Sequence, residues 1–226
     1  ASIDWSQVEI SEEAQTEAPA APKGRVRFTG LQKSLDQFAE ALSVPDPPEA
    51  ATIRERIADL SNNIENQIEA DGLQVEELTE PTRRARGWLA FMAQKENFDQ
   101  YLKAVAIAEP IFDSEIQSNP RLINPAKIQF RPIRPPAKVS GNAQGTTVQM
   151  QTPMVGFAKT EFDAVAAELI GRRGTREQLH RAMTSESYQS VLAELEALGG
   201  VVEKPQGAVH DLAAAFDRVN QRYFAG

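Results

Sequence analysis

The chain has 226 residues with 41% hydrophobic side chains, enough for a packed core, and a net charge of -8 at pH 7. It contains no cysteine, which excludes disulfides, thiolate zinc sites and cysteine nucleophiles. Because no apolar run approaches the ~18 residues of a membrane span and no basic-then-apolar leader pattern occurs, we expect a cytoplasmic protein with no membrane partner.

The charge is unevenly distributed along the chain. Residues 1–118 hold 22 acidic and 11 basic side chains, whereas residues 119–183 hold 10 basic and 4 acidic ones. Residues 184–226 are acidic again, with 6 acidic and 3 basic side chains. An acidic block beside a basic block is typical of a polyanion-binding face or of two blocks that dock on each other. We favour docking.

The N-terminal segment is predicted to be a disordered arm over residues 1–28. Its acidic and Ala/Pro-rich composition cannot bury enough apolar surface to offset the ordering entropy. Trp5, Val8 and Ile10 lie in this acidic context and are candidate contacts with a partner protein. The alternative, that Trp5 packs on its own domain, stays open.

Residues 29–118 are predicted to form a helical domain. Asp46, followed by two prolines and Glu49, has the composition of a helix N-cap with a capping box. The strongest apolar periodicity comes next and favours a helical-bundle core over a short coiled coil. It consists of Ile53, Ile57, Leu60, Ile64 and Ile68.

Residues 119–226 are predicted to hold a hairpin and further helices. Apolar and polar residues alternate from Ile128 to Ile133 and again over residues 146–152, which indicates two strands. The first strand is predicted to lie at a sheet edge because of its prolines. Since such a hairpin is marginal alone, we expect it to share an interface with the helices. The predicted fold is therefore mainly α: a helical bundle with a small β-hairpin (α+β).

The sequence contains no motif that indicates catalysis. His180 and His210 lie in different predicted helices, and a zinc site needs three or four ligands. Neither a nucleophile elbow nor a phosphate-binding glycine loop occurs. Ser185 and Ser187 lie in the segment TSESY, which is instead predicted to form a helix N-cap. We therefore expect no catalytic residue, no metal and no cofactor in this chain.

The basic block supplies candidate anion contacts. These are Lys127, Arg131, Arg134, Lys138, Arg172, Arg173 and Arg176. A stripe of such side chains can neutralise phosphates. Only Phe130 is an aromatic residue among the strand cations, whereas readers of single-stranded nucleic acids stack bases on several aromatic rings. Nucleic acid is therefore a possible but disfavoured partner.

The segment HDLAAAFDRVNQRYFAG, from His210 to Gly226, resembles the first helix of SprT-like zinc metalloproteases. The resemblance is carried by Phe216, Asn220, Tyr223, Phe224 and Gly226. The family's activity depends on a His-Glu-x-x-His helix, which this sequence does not contain. The resemblance therefore implies an N-terminal or lead-in region of such a protein, and it assigns no catalytic or zinc-binding residue here.

These observations favour a non-enzymatic protein-interaction or regulatory module that docks to a larger partner. The alternatives are a polyanion-binding accessory domain and an N-terminal fragment of a SprT-like metalloprotease.

Overall fold

A computed structural model describes residues 26–143, 145–171 and 176–200. This part of the chain is mainly α-helical with a small β part, as predicted, and the β part is a three-stranded sheet. The helices are α1 (Leu31–Ala41), α2 (Ala50–Ala70), α3 (Glu80–Ala93), α4 (Lys95–Gln117), α5 (Lys159–Ala166), α6 (Arg176–Met183) and α7 (Glu186–Gly199). The strands are β1 (Ala126–Arg131), β2 (Ala137–Asn142) and β3 (Gly145–Gln151).

Helix α2 confirms the predicted apolar stripe but begins later than expected. All five stripe residues are buried, and Ile57 and Ile64 are at most 1% exposed. The helix begins at Ala50 with Glu49 as its N-cap, so the prediction of Asp46 as N-cap is wrong. The reason is steric: after a cap at Asp46, Pro47 would be the first helical residue, and Pro48 disfavours the helical conformation at Pro47.

Helices α3 and α4 hold the outer edge of β1. The Trp88 indole Nε1 of α3 donates a hydrogen bond to the Phe130 carbonyl oxygen at 3.1 Å. The Phe130 amide in turn donates to the Tyr101 hydroxyl of α4 at 3.2 Å. Both side chains are at most 1% exposed, and buried backbone groups need such partners. The two helices therefore close an edge that would otherwise be unpaired.

The sheet differs from the predicted hairpin in its pairing. Its strand order is β1-β3-β2, with β1 parallel to β3 and β2 antiparallel to β3. Strands β1 and β3, the two that were predicted, therefore do not form a hairpin with each other. The reversal occurs instead at the prolines after β1, and the turn before Gly145 joins β2 to β3. The sequence of strand β2 shows no clear alternation of apolar and polar residues, because the strand is largely exposed.

The core is continuous between the two predicted segments, which confirms the expected interface. Tyr101 packs edge-on against Phe130 with 5.4 Å between ring centroids, and Phe130 lies 6.0 Å from Phe162 of α5. Helices α3 and α7 approach closely at Gly87, where a Cβ atom would lie 2.6 Å from the Leu195 carbonyl oxygen. This close packing fixes α7 over the end of the sheet.

Candidate functional site

An open pocket of about 250 Å³ lies where β1 and β3 end. Because these neighbouring strands are parallel, their carboxyl ends meet at the same edge of the sheet. Ligands of open parallel sheets commonly bind at this edge. Helices α6 and α7 complete the pocket, together with one side chain of α3. Its apolar wall consists of Pro132, Ile133, Pro153, Met183, Leu192 and Leu195.

The polar wall of the pocket is organised around Gln151 at the end of β3. Its side-chain Nε2 donates to the carbonyl oxygens of Ile133 at 3.2 Å and Arg134 at 2.7 Å. Its Oε1 accepts a hydrogen bond from the Tyr188 hydroxyl at 2.6 Å. Burial, and secondarily the negative charge of Glu196, raises the pKa of Tyr188. The phenol therefore stays protonated and ties α7 to the sheet.

Helix α7 places Tyr188 in this position because its first turn is fixed. The Ser185 hydroxyl accepts a hydrogen bond from the Tyr188 backbone amide at 3.4 Å, which confirms the predicted N-cap. Gly156 also lies against this turn, and a Cβ there would be 2.9 Å from the Ser187 carbonyl oxygen. The sheet end and the start of α7 are therefore held close together.

Two polar atoms of the pocket side chains lack a hydrogen-bond partner among the described residues. They are Arg131 Nε and Thr152 Oγ1, and both are closed off from solvent. Arg131 also pairs through Nη2 with Asp36 of α1, while burial lowers the pKa of its guanidinium. A buried polar group without a partner costs about 1–3 kcal/mol. A hydrogen bond to a bound molecule would remove this cost.

Three of the five predicted anion contacts that the structure describes have carboxylate partners. The ion pairs are Lys127–Glu40, Arg131–Asp36 and Arg134–Glu80. They join β1 and the residues after it to α1 and α3, which is the docking of basic on acidic segments that the charge blocks indicated. Lys138 and Arg176 are exposed, and Arg172 and Arg173 lie outside the described residues.

Glu80 links the pocket to this set of ion pairs. Its carboxylate accepts from Arg134 and from the pocket residue Arg84, the latter at 2.7 Å. The hydrogen bond from Arg134 is the main reason that the pKa of Glu80 is lowered. Partial desolvation opposes this effect, and the positive charge of Arg84 adds to it. The guanidinium groups at the pocket rim are therefore held in place by acidic neighbours.

Arg131 was predicted from the sequence as an anion contact, and the other residues of the pocket were not predicted. Its members come from α3, β1, β3, α6 and α7, so no short segment contains the pattern. The predicted partner contacts Trp5, Val8 and Ile10 lie outside the described residues. The alternation of apolar and polar residues in β1 and β3 could have indicated this edge of the sheet if the parallel pairing of the two strands had been recognised.

The described ranges, 26–143, 145–171 and 176–200, contain neither a metal-binding cluster nor a membrane-spanning helix. No group of three or more His, Cys, Asp or Glu side chains there could hold a metal ion. Among the helices of the same ranges, none combines the length and the apolar character that a membrane crossing requires.

No family model matches the chain, and neither a curated protein nor a solved structure matches it. The residues that resemble SprT-like proteases, from His210 to Gly226, lie outside the described part of the chain. That resemblance therefore stays a prediction.

Proposed function

We propose that this chain is a non-enzymatic protein-interaction module that docks a peptide segment of a larger partner protein in the pocket at the ends of β1 and β3. One observation carries the proposal: an apolar wall stands beside two side chains with unpaired polar atoms, Arg131 and Thr152. This combination suits an occupant that has both an apolar side chain and hydrogen-bond acceptors.

The size of the pocket favours a single anchoring side chain. Its volume of about 250 Å³ is below the ~300–1,000 Å³ of most small-molecule and cofactor sites. Leu192 and Leu195 are partly buried in the free structure and would lose their remaining contact with water under such an anchor. Burying one large apolar side chain contributes about 1.5–3 kcal/mol.

The polar wall favours a peptide as the source of that side chain. Carbonyl oxygens of an extended backbone are acceptors, and they would match the Arg131 Nε–H and the Thr152 hydroxyl once these turn towards the pocket. The Tyr188 hydroxyl donates to Gln151, and the Arg84 guanidinium is paired with Glu80. These groups hold the pocket in shape, which fits binding better than proton transfer.

Selection of peptides from a displayed random library against the 226-residue chain tests this function. The pocket variant Leu192→Glu places a carboxylate on the apolar wall, and the matched control Ala193→Glu places the same charge on the exposed neighbouring position of α7. We expect enriched peptides that share a large apolar residue, bind the wild type and the control, and fail to bind Leu192→Glu. Enrichment of no sequence, or of sequences that bind all three chains equally, would refute the proposal.

A further inference from the structure

We infer that the pocket takes the chain's own N-terminal segment, residues 3–10 (IDWSQVEI), with Trp5 as the anchoring side chain. The inference rests on the proposed function, because it names an occupant of the same pocket. It also means that a partner peptide must displace this segment before it can dock.

The place where the N-terminal segment joins the fold is close to the pocket. The Val26 amide donates to the Glu77 carbonyl oxygen at 3.0 Å, and the Thr79 amide donates to the Val26 carbonyl oxygen at 3.0 Å. Thr79 is the N-cap of α3, and the pocket residue Arg84 is five positions further along this helix. Five helical residues correspond to about 7.5 Å along the axis.

The connection is long enough for docking without strain. Fifteen residues lie between Ile10 and Val26, and an extended chain of that length spans up to about 50 Å. Docking of a covalently attached segment is intramolecular, so a contact that would be weak between separate molecules suffices.

The chemistry of the segment matches that of the pocket and its rim. Residues 1–17 contain five acidic side chains and no basic one, and Trp5 directly follows Asp4. The pocket is lined by the guanidinium groups of Arg84 and Arg131 and by the carboxylate of Glu196, and the backbone of Arg134 lies beside it, bonded to Gln151. The Arg134 side chain is 77% exposed, so most of its donors face solvent despite its pair with Glu80. The Trp5 side chain would therefore meet the apolar wall, and the neighbouring Asp4 would meet the exposed donors of Arg134.

The two tryptophans of the chain allow a direct test by ¹⁹F NMR of the 226-residue protein labelled with 5-fluorotryptophan. Trp88 is 1% exposed and hydrogen-bonded to β1, so its resonance reports whether each variant is folded. We expect the Trp5 resonance of the wild type to show the small H₂O/D₂O isotope shift of a buried indole. In Leu192→Glu, Trp5 should acquire the larger shift of an exposed indole, whereas Ala193→Glu should resemble the wild type.

A second pocket variant keeps the test decisive if Leu192→Glu alters the Trp88 resonance. Met183→Glu changes another residue of the apolar wall, on α6 instead of α7, and should expose Trp5 in the same way. An exposed Trp5 in the folded wild type, or a buried Trp5 that neither pocket variant releases, would overturn the inference. If Trp5 is buried in concentrated protein but exposed after hundredfold dilution, the pocket binds the N-terminal segment of a second molecule. That result would overturn the intramolecular contact.

The outcome separates this inference from the proposed function. If Trp5 is exposed while library peptides still bind in a Leu192-dependent manner, the inference fails and the docking function stands. If Trp5 is exposed and no peptide depends on the pocket, both fail.

Discussion

Substitution of Gly87 by alanine should destabilise the protein, although helix propensity alone predicts the opposite. Gly87 lies inside α3 on the side that contacts α7. An added Cβ would lie 2.6 Å from the Leu195 carbonyl oxygen and 3.0 Å from both the amide nitrogen and the Cα of Gly199. All three atoms belong to the backbone of a helix, so none can move away without shifting α7.

The size of the destabilisation by Gly87→Ala follows from two opposed effects. Replacing an interior helical glycine by alanine stabilises a helix by up to about 1 kcal/mol. Overpacking of a close contact typically costs about 1–3 kcal/mol, and a 2.6 Å approach to a helical backbone belongs at the upper end of that range. We therefore expect Gly87→Ala to lower the free energy of unfolding by about 2 kcal/mol. For a chain of this size, that loss lowers Tm by roughly 4–8 °C.

Thermal unfolding followed by circular dichroism measures this effect. Gly141→Ala is the matched control, because the nearest atoms to its added Cβ are 3.9 Å away and the residue lies in the exposed strand β2. The control should unfold within about 2 °C of the wild type, since surface changes of this kind stay within about 0.5 kcal/mol. A Tm for Gly87→Ala equal to or above that of the wild type would show that α3 and α7 do not pack as described.

Four further outcomes are expected. Leu60→Asp should lower the free energy of unfolding by about 3 kcal/mol or more, because it buries an unpaired carboxylate in the core; an unchanged melting curve would place this stripe on the surface. Tyr188→Phe should cost about 0.5–1.5 kcal/mol through loss of the hydrogen bond to Gln151, as measured by urea unfolding, and no cost would mean that this bond is absent in solution. Because the pKa of Glu80 is lowered in the folded protein, its ionised carboxylate stabilises the folded state at pH values above the unfolded pKa of about 4.3. This stabilisation is lost as the pH falls through the pKa of Glu80 in the folded state. Glu80→Gln should therefore be less stable than the wild type at pH 7 and approach it in acid, whereas a pH-independent difference would contradict the assigned ion pair with Arg134. Finally, the chain should show no micromolar affinity for DNA or RNA at near-physiological salt, and binding with a steep log–log salt slope would favour the polyanion alternative.

The helical part of the fold could be predicted because its signal is local. Ile57 and Ile64 recur at helical spacing, and the structure buries both. The N-cap in the segment TSESY was likewise predicted from neighbouring residues, since the capping hydrogen bond between Tyr188 and Ser185 spans only three residues.

The sheet pairing and the pocket could not be predicted because they depend on contacts between distant segments. Residue Ile128 pairs with Val148 in parallel register, and the alternation of the two strands is the same for parallel and antiparallel pairing. The pocket brings Arg84, Thr152 and Leu192 together from three separate elements. The unpaired atoms that mark the site become evident only when burial and hydrogen bonds are known.

Calorimetric titration of the 226-residue chain with the most enriched library peptide tests the docking pocket most directly. We predict one saturable site per wild-type molecule, with affinity reduced at least tenfold by Leu192→Glu, equivalent to about 1.4 kcal/mol, and unchanged in Ala193→Glu. Equal affinity for the wild type and Leu192→Glu would contradict the assignment of the pocket as the docking site.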